Sequence, residues 1–312
     1  MSDSKLEQLI EQIKAKNRRG LAKAISFVEN REDGVPELMN FAYKNMNDQA
    51  LVIGITGPGG AGKSTTVDKV IKQFRQKGKK VGVIAVDPSS PYTGGAFLGD
   101  RVRMGAHNVD HEVFIRSFGS RGSIGGISQG TKQCLYLFKN YDFDVIIIES
   151  LGIGQDETEI TNFVDVTVVT VVPGYGDSIQ IAKAGMQEIA DIFVVNKADK
   201  PDAEEFYNQM LNSLTMLPEE LRPRILKTVA TTEQGIPELV TAMVEVGGRQ
   251  MAKRPDKSRI RIRAEIETEV FNLVRKEIDN IIKEKADAVF SGQATPFEIS
   301  ARILSGIQFN KQ

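Results

Sequence analysis

The residues Gly57-Pro-Gly-Gly-Ala-Gly62-Lys63-Ser64 follow the pattern G-x-x-x-x-G-K-[ST]. In such a run backbone amides ring a set of phosphates, the lysine neutralises their charge and the hydroxyl binds Mg²⁺. Gly57, Gly59, Gly60, Ala61, Gly62 and Thr65 would then line the phosphate cradle, Lys63 would act as the catalytic cation on the β- and γ-phosphates, and Ser64 would be the first metal ligand. A merely flexible glycine turn is the plainer alternative. It accounts poorly for the context, because an apolar strand signal ends at Thr56 and a helical one begins after Lys63, which aims a helix N-terminus and its unpaired amides at the anion.

A second motif names the base. Asn196-Lys197-Ala198-Asp199 follows the apolar run IFVV and has the N-K-x-D form in which the aspartate accepts both the ring N–H and the exocyclic amine of guanine. Adenine offers no such donor pair, so binding ATP would bury Asp199 unsatisfied at a cost of roughly 1–3 kcal/mol. Taken alone, the four residues would fit an ordinary helix start with Asn as its cap. Thr228-Val229-Ala230, at the end of another strand signal, supplies a weaker third element for a backbone contact to the base. GTP and GDP are the expected ligands.

Mg²⁺ prefers oxygen donors and keeps several waters, so Ser64 needs carboxylate partners at neighbouring strand ends. Asp87, Asp100 and Glu149 are the candidates. Glu149-Ser-Leu-Gly152 reads as a D-x-x-G switch with glutamate in the first place, and the Gly152 amide could bond the γ-phosphate. Asp87 heads the Pro-, Ser- and Gly-containing loop DPSSPYTGGAFLGDRVRM, a composition suited to rearrangement, although a turn or capping role fits Asp87 and Asp100 as well.

These residues must be held by a framework, and the periodicity supplies one. Val- and Ile-rich runs at 51–56, 81–86, 145–149, 166–172 and 192–195 suit strands buried on both faces. Helical stretches separate most of them, so the fold class is α/β, a P-loop NTPase with a mostly parallel central sheet flanked by helices. Residues 1–48 read as an N-terminal helical extension, 49–247 as the nucleotide-binding domain and 248–312 as a C-terminal helical arm. In the arm Ile266, Val270, Leu273, Val274, Ile278 and Ile281 form one stripe, and Thr295 with Glu298 makes a capping box around Pro296.

Forty basic against forty-one acidic residues remove any global drive toward nucleic acid or an anionic membrane. A single cysteine, Cys134, excludes a disulfide framework and points to a reducing compartment. The N-terminus lacks the apolar core of a signal peptide and no run approaches membrane-spanning length, so the expected location is the cytoplasm.

The sequence resembles the MeaB/ArgK/MMAA GTPases, accessory proteins of cobalamin-dependent acyl-CoA mutases. The likeness covers nearly the whole chain and is carried by GPGGAGKST, AVDPSSPYTGGAFLGDRVRM, SFGSRGSIGGIS, ESLGIGQDE, VVPGYGDSIQIAKAG and VVNKAD. It implies GTP hydrolysis coupled to loading adenosylcobalamin onto a mutase and keeping that mutase active, with a C-terminal arm that forms a homodimer. It also places Asp87 and Asp100 in a first switch, Gly152 to Glu157 in a second and Asp177 to Lys183 in a third, with Lys183 as its charged contact. By position Gln155 is the residue to orient the attacking water, and Arg101, Arg103, Arg116 and Arg121 are candidates for a charge-stabilising arginine. Ser150-Leu151 stands where Thr-Val is usual, Val229 where serine is usual, and Asp156 where a small polar residue is commoner.

Three other readings compete. A nickel-delivery GTPase would need a soft metal site, for which His107 and His111 at helical i, i+4 spacing and one distant cysteine are thin. A small-molecule kinase would share the cradle but has no use for the guanine motif. A nucleic-acid binder is suggested by Arg249, Lys253, Arg254, Lys257, Arg259, Arg261 and Arg263, a basic run without interleaved aromatics that suits a solvated helix face.

Overall fold

The computed structural model describes residues 3–87, 105–107, 109–119, 129–150, 160–174, 186–252, 254–291 and 293–306. The chain forms two compact units, Met1–Ala252 and Lys253–Gln312.

The first unit is built on a seven-stranded sheet: β1 (Leu51–Thr56), β2 (Val81–Asp87), β3 (Val113–Gly119), β4 (Val145–Glu149), β5 (Val166–Val171), β6 (Ile192–Asn196) and β7 (Arg224–Thr228). Its order is β3-β2-β4-β1-β5-β6-β7, and every neighbouring pair is parallel. Parallel strands need crossovers, supplied among the described residues by α4 (Lys63–Gln76), α5 (Gln129–Lys139), α6 (Met186–Ile189) and α7 (Ala203–Leu214), with α8 (Ile236–Ala252) after the last strand. Gly78, with φ of +72°, takes the left-handed turn that stops α4 just beyond Gln76.

Side-chain alternation divides the core in two. Ile53, Ile55, Val83, Ile147 and Val168 face α4 and α8, while Val52, Ile84, Ile146 and Ile148 face α5. The N-terminal helices α1 (Asp3–Lys14), α2 (Arg18–Glu29) and α3 (Val35–Lys44) join that second layer, burying Ile13, Leu21, Ile25, Phe27 and Leu38 in the same apolar cluster. Helices α1, α2 and α3 are therefore packed into the same compact unit as the sheet. The expected start of the arm at 248 falls inside α8, which ends at Ala252.

Strand β3 is absent from the apolar runs read off the sequence, and its place explains why. It is an edge strand paired to β2 alone, so it carries Arg116 and Ser117 where an inner strand would carry Val or Ile. Arg116, one of the candidate arginines for transition-state charge, is committed elsewhere: its guanidinium pairs with Glu29 and donates to Ser26 Oγ at 3.0 Å, tying α2 to this edge. Cys134 is fully buried in α5, and loss of solvation pushes its thiol well above the usual range, with Glu29 adding to the effect. The histidines do not share a helix. His107 ends a 3-10 turn, Gly105–His107, and its Nε2 lies 3.1 Å from Asp68 Oδ1 on α4.

The second unit holds α9 (Arg254–Phe290) and α10 (Pro296–Gly306). The capping box forms as expected: Glu298 N donates to Thr295 Oγ1 at 3.2 Å, and Thr295 N donates to Glu298 Oε2 at 2.8 Å. That exchange holds the Glu298 carboxyl below its ordinary range.

Candidate active site

The site lies where parallel strands deliver their C-terminal ends, because every strand then points its last residues and following loop to one side of the sheet. Strand β1 ends at Thr56 and the chain turns at Gly57, whose φ is +134° and whose missing side chain lets it pass against Thr170 O on β5. Gly62, with φ of +89°, enters α4 from the left-handed region and leaves room for the Asn196 amide. Gly59 and Gly60 are exposed at the tip, with open space above them, while Ala61 is buried. The result is a concave run of backbone at the N-terminus of a 14-residue helix, where N–H groups and the helix dipole favour an anion. An alanine at Gly57 would bring a Cβ into a backbone carbonyl at a φ hostile to L-residues. We expect Gly57→Ala to cost at least about 2 kcal/mol in urea unfolding, and a loss under about 0.5 kcal/mol would contradict this packing.

Lys63 is the first residue of α4 and is buried, and its ammonium donates to Gly57 O at 2.8 Å and Pro58 O at 3.1 Å. The cation thus folds back across the cradle it opens, where arriving phosphate oxygens would take over its donors. One residue on, Ser64 Oγ donates to Glu149 Oε1 at 2.7 Å. Glu149 is the last residue of β4 and is buried among apolar strands, so this charge is held at the sheet end by position. Hydroxyl and carboxylate together make an all-oxygen donor set, which fits a hard divalent cation such as Mg²⁺. Asp87 ends β2 two residues past Ala85, the register partner of Glu149, so its backbone reaches the same sheet end. Its side chain, and Asp100, Gly152, Gln155 and Lys183 altogether, lie outside the described residues. Thr65, half-buried, continues the first turn of α4.

The base motif is tied to the same loop. Asn196 Nδ2 donates to Ala61 O at 2.9 Å, and its Oδ1 accepts from Thr228 Oγ1 and from Ala230 N, both at 3.1 Å. Lys197, at φ of +56°, donates from Nζ to Gly60 O at 2.9 Å. Asn196 and Lys197 therefore brace the cradle against the loop after β7, leaving Asp199 exposed and free of that bracing task. Val229, the position that departs from serine, is buried, and its N–H bonds Gln234 O at 3.0 Å.

Of the three carboxylates open as partners of Ser64, the described side chains include Glu149 alone. Beside the cradle lies a hydroxyl pair that the sequence does not suggest, Ser150 Oγ donating to Thr56 Oγ1 at 2.7 Å. Only the placing of β1 next to β4 brings these two residues together. Among the described residues no group of three His, Cys, Asp or Glu could hold a metal, and no helix is long and apolar enough to cross a membrane.

A family model described as methylmalonyl-CoA mutase-associated GTPase MeaB matches residues 21–287. A relative from Pyrococcus horikoshii is 42% identical over 291 residues, 91% of this chain and 92% of that one. GTPase ArgK of Escherichia coli is 32% identical over 313 residues, 95% of each chain. Of solved structures, one described as LAO/AO transport system kinase aligns with a TM-score of 0.69 at 27% identity, covering 99% of both chains. Because the matched stretch runs from α2 nearly to the end of α9 and so takes in far more than a phosphate cradle, this chain belongs to the MeaB family and is a GTPase.

Proposed function

We propose that this GTPase works with Mg²⁺ and uses hydrolysis of GTP to GDP and phosphate to gate the loading of adenosylcobalamin onto an acyl-CoA mutase of the methylmalonyl-CoA mutase type, and the protection and reactivation of that mutase. The observation that carries the chemistry is the 2.7 Å contact between Ser64 Oγ and Glu149 Oε1. It sets a metal-binding hydroxyl against a carboxylate that follows directly into the second switch. Ser64 and Glu149 would hold Mg²⁺, which when bound supplies charge neutralisation at the phosphates, while Lys63 would exchange its two carbonyls for phosphate oxygens. Glu149 closes β4 and leads directly into the second switch, so it would couple the metal site to that loop.

In the same reading Asp87 and Asp100 support the metal, Gly152 bonds the γ-phosphate, Gln155 orients the attacking water and Lys183 senses the partner. The choice of mutase as partner rests on the family description. Exposed Ile266, Val270, Leu273 and Ile281 on α9 support a homodimer through the arm, beginning near residue 248, and the reducing composition supports the cytoplasm. A kinase reading is prompted by the description of the solved relative; detecting the γ-phosphate as free phosphate, with none on an acceptor, would dismiss it. The direct test is capture from native extract by the chain loaded with a non-hydrolysable GTP analogue. We expect an acyl-CoA mutase retained with the analogue and reduced with GDP. Its absence under both conditions would overturn the proposed partner.

A further inference from the structure

We propose that Ser150 is a positioning residue for the metal site, acting through its bond to Thr56 to hold the Glu149 carboxylate opposite Ser64. The inference rests on the reading of Ser64 and Glu149 as the Mg²⁺ site.

In the β1–β4 ladder Ile55 is the register partner of Glu149, and the next rung is Ser150 N donating to Ile55 O at 3.0 Å. Successive side chains point to opposite faces, so Glu149 stands on the α4 face with Ile55, while Ser150 and Thr56 stand on the other face. That face is apolar, built from Ile148, Ile160 and Val164, and Ser150 and Thr56 are both buried in it. A lone hydroxyl there would be costly, so each satisfies the other, Ser150 donating at 2.7 Å.

The consequence is geometric. Thr56 is the last residue before Gly57, and Ser64 is the last residue of the cradle pattern. The dipeptide Glu149-Ser150 thus grips both ends of one loop: Ser150 holds the entrance through Thr56 and Glu149 holds the exit through Ser64. With Ser64 given over to a metal, Glu149 would be released from its exit contact, whereas the Ser150–Thr56 contact involves no metal donor and would remain. Ser150 then sets where the freed carboxylate can stand. Losing the hydroxyl lets the tip of β4 shift by a fraction of an ångström, enough to weaken a metal site whose oxygen geometry is strict.

The test reads Mg²⁺ affinity rather than turnover. Release of a fluorescent GDP is followed against Mg²⁺ concentration, with release in EDTA and the melting temperature of nucleotide-free protein measured alongside. For Ser150→Ala we expect the Mg²⁺ concentration that half-slows release to rise about fivefold, the weight of one hydrogen bond, with release in EDTA unchanged. Thr56→Val reads the same bond from its other side and should match. The double variant should be no worse than either single one, because one bond is lost once. Ser150→Thr, which keeps the hydroxyl, should restore the wild-type midpoint. A lowered melting temperature with an unmoved Mg²⁺ midpoint would overturn the proposal, as would additive effects in the double variant. Were wild-type release itself indifferent to Mg²⁺, the metal-site reading would fall and take the proposal with it.

Discussion

Replacing Lys63 with alanine will lower the rate of GTP hydrolysis at saturating nucleotide by about 10²–10³-fold, the scale seen when one preorganised charge stabiliser is removed from a transition state. Lys63 opens α4 and is buried, and its ammonium already stands within the loop at 2.8 Å from Gly57 O. Charge that accumulates on the transferring phosphoryl group would develop beside a cation already held within the loop, which has only to exchange two carbonyls for phosphate oxygens. Truncation removes a buried charge and leaves two carbonyls at the loop edge, so the fold should persist. Phosphate release measured beside a thermal melt separates the two effects. A rate within threefold of wild type, with the melt unchanged, would contradict the role given to Lys63.

The second large effect concerns the base. Asp199 is exposed, whereas Asn196 and Lys197 in the same motif are spent on Ala61 O and Gly60 O. That division of labour leaves Asp199 to read the ligand, accepting from two guanine N–H groups. Asp199→Asn replaces one acceptor with a donor, so GTP affinity should fall roughly 10²–10³-fold, because one bond to a charged group is lost and the other becomes a neutral one. Xanthosine triphosphate carries a carbonyl where guanine carries the amine, and it should bind the variant better than GTP does. Competition against a fluorescent nucleotide checks both arms. A variant that kept its preference for GTP would show that Asp199 does not contact the base edge.

How far the fold could be read in advance follows from where each residue sits in the sheet. Inner strands such as β1 and β4 are buried on both faces, so Leu51–Thr56 and Val145–Glu149 stand out as apolar runs. Edge strands do not: β3 carries Arg116 and Ser117, and β7 reads Arg-Ile-Leu-Lys-Thr with an exposed Lys227. Glycine and lysine in the cradle were legible because local backbone geometry demands them at fixed spacing. Contacts between distant segments were not. Arg116 offered a free charge by sequence, and only the docking of α2 shows it committed to Glu29. Likewise nothing in the spacing of Thr56 and Ser150 announces a bond, since adjacency of β1 and β4 creates it.

The proposed gating of this GTPase by a mutase is tested most directly by hydrolysis measured with and without that partner. Purified chain with GTP and Mg²⁺ should release phosphate slowly, and adding an adenosylcobalamin-dependent acyl-CoA mutase should speed release at least about tenfold, as when a charge-stabilising group arrives in trans. Equal rates with and without mutase would contradict a partner-gated switch.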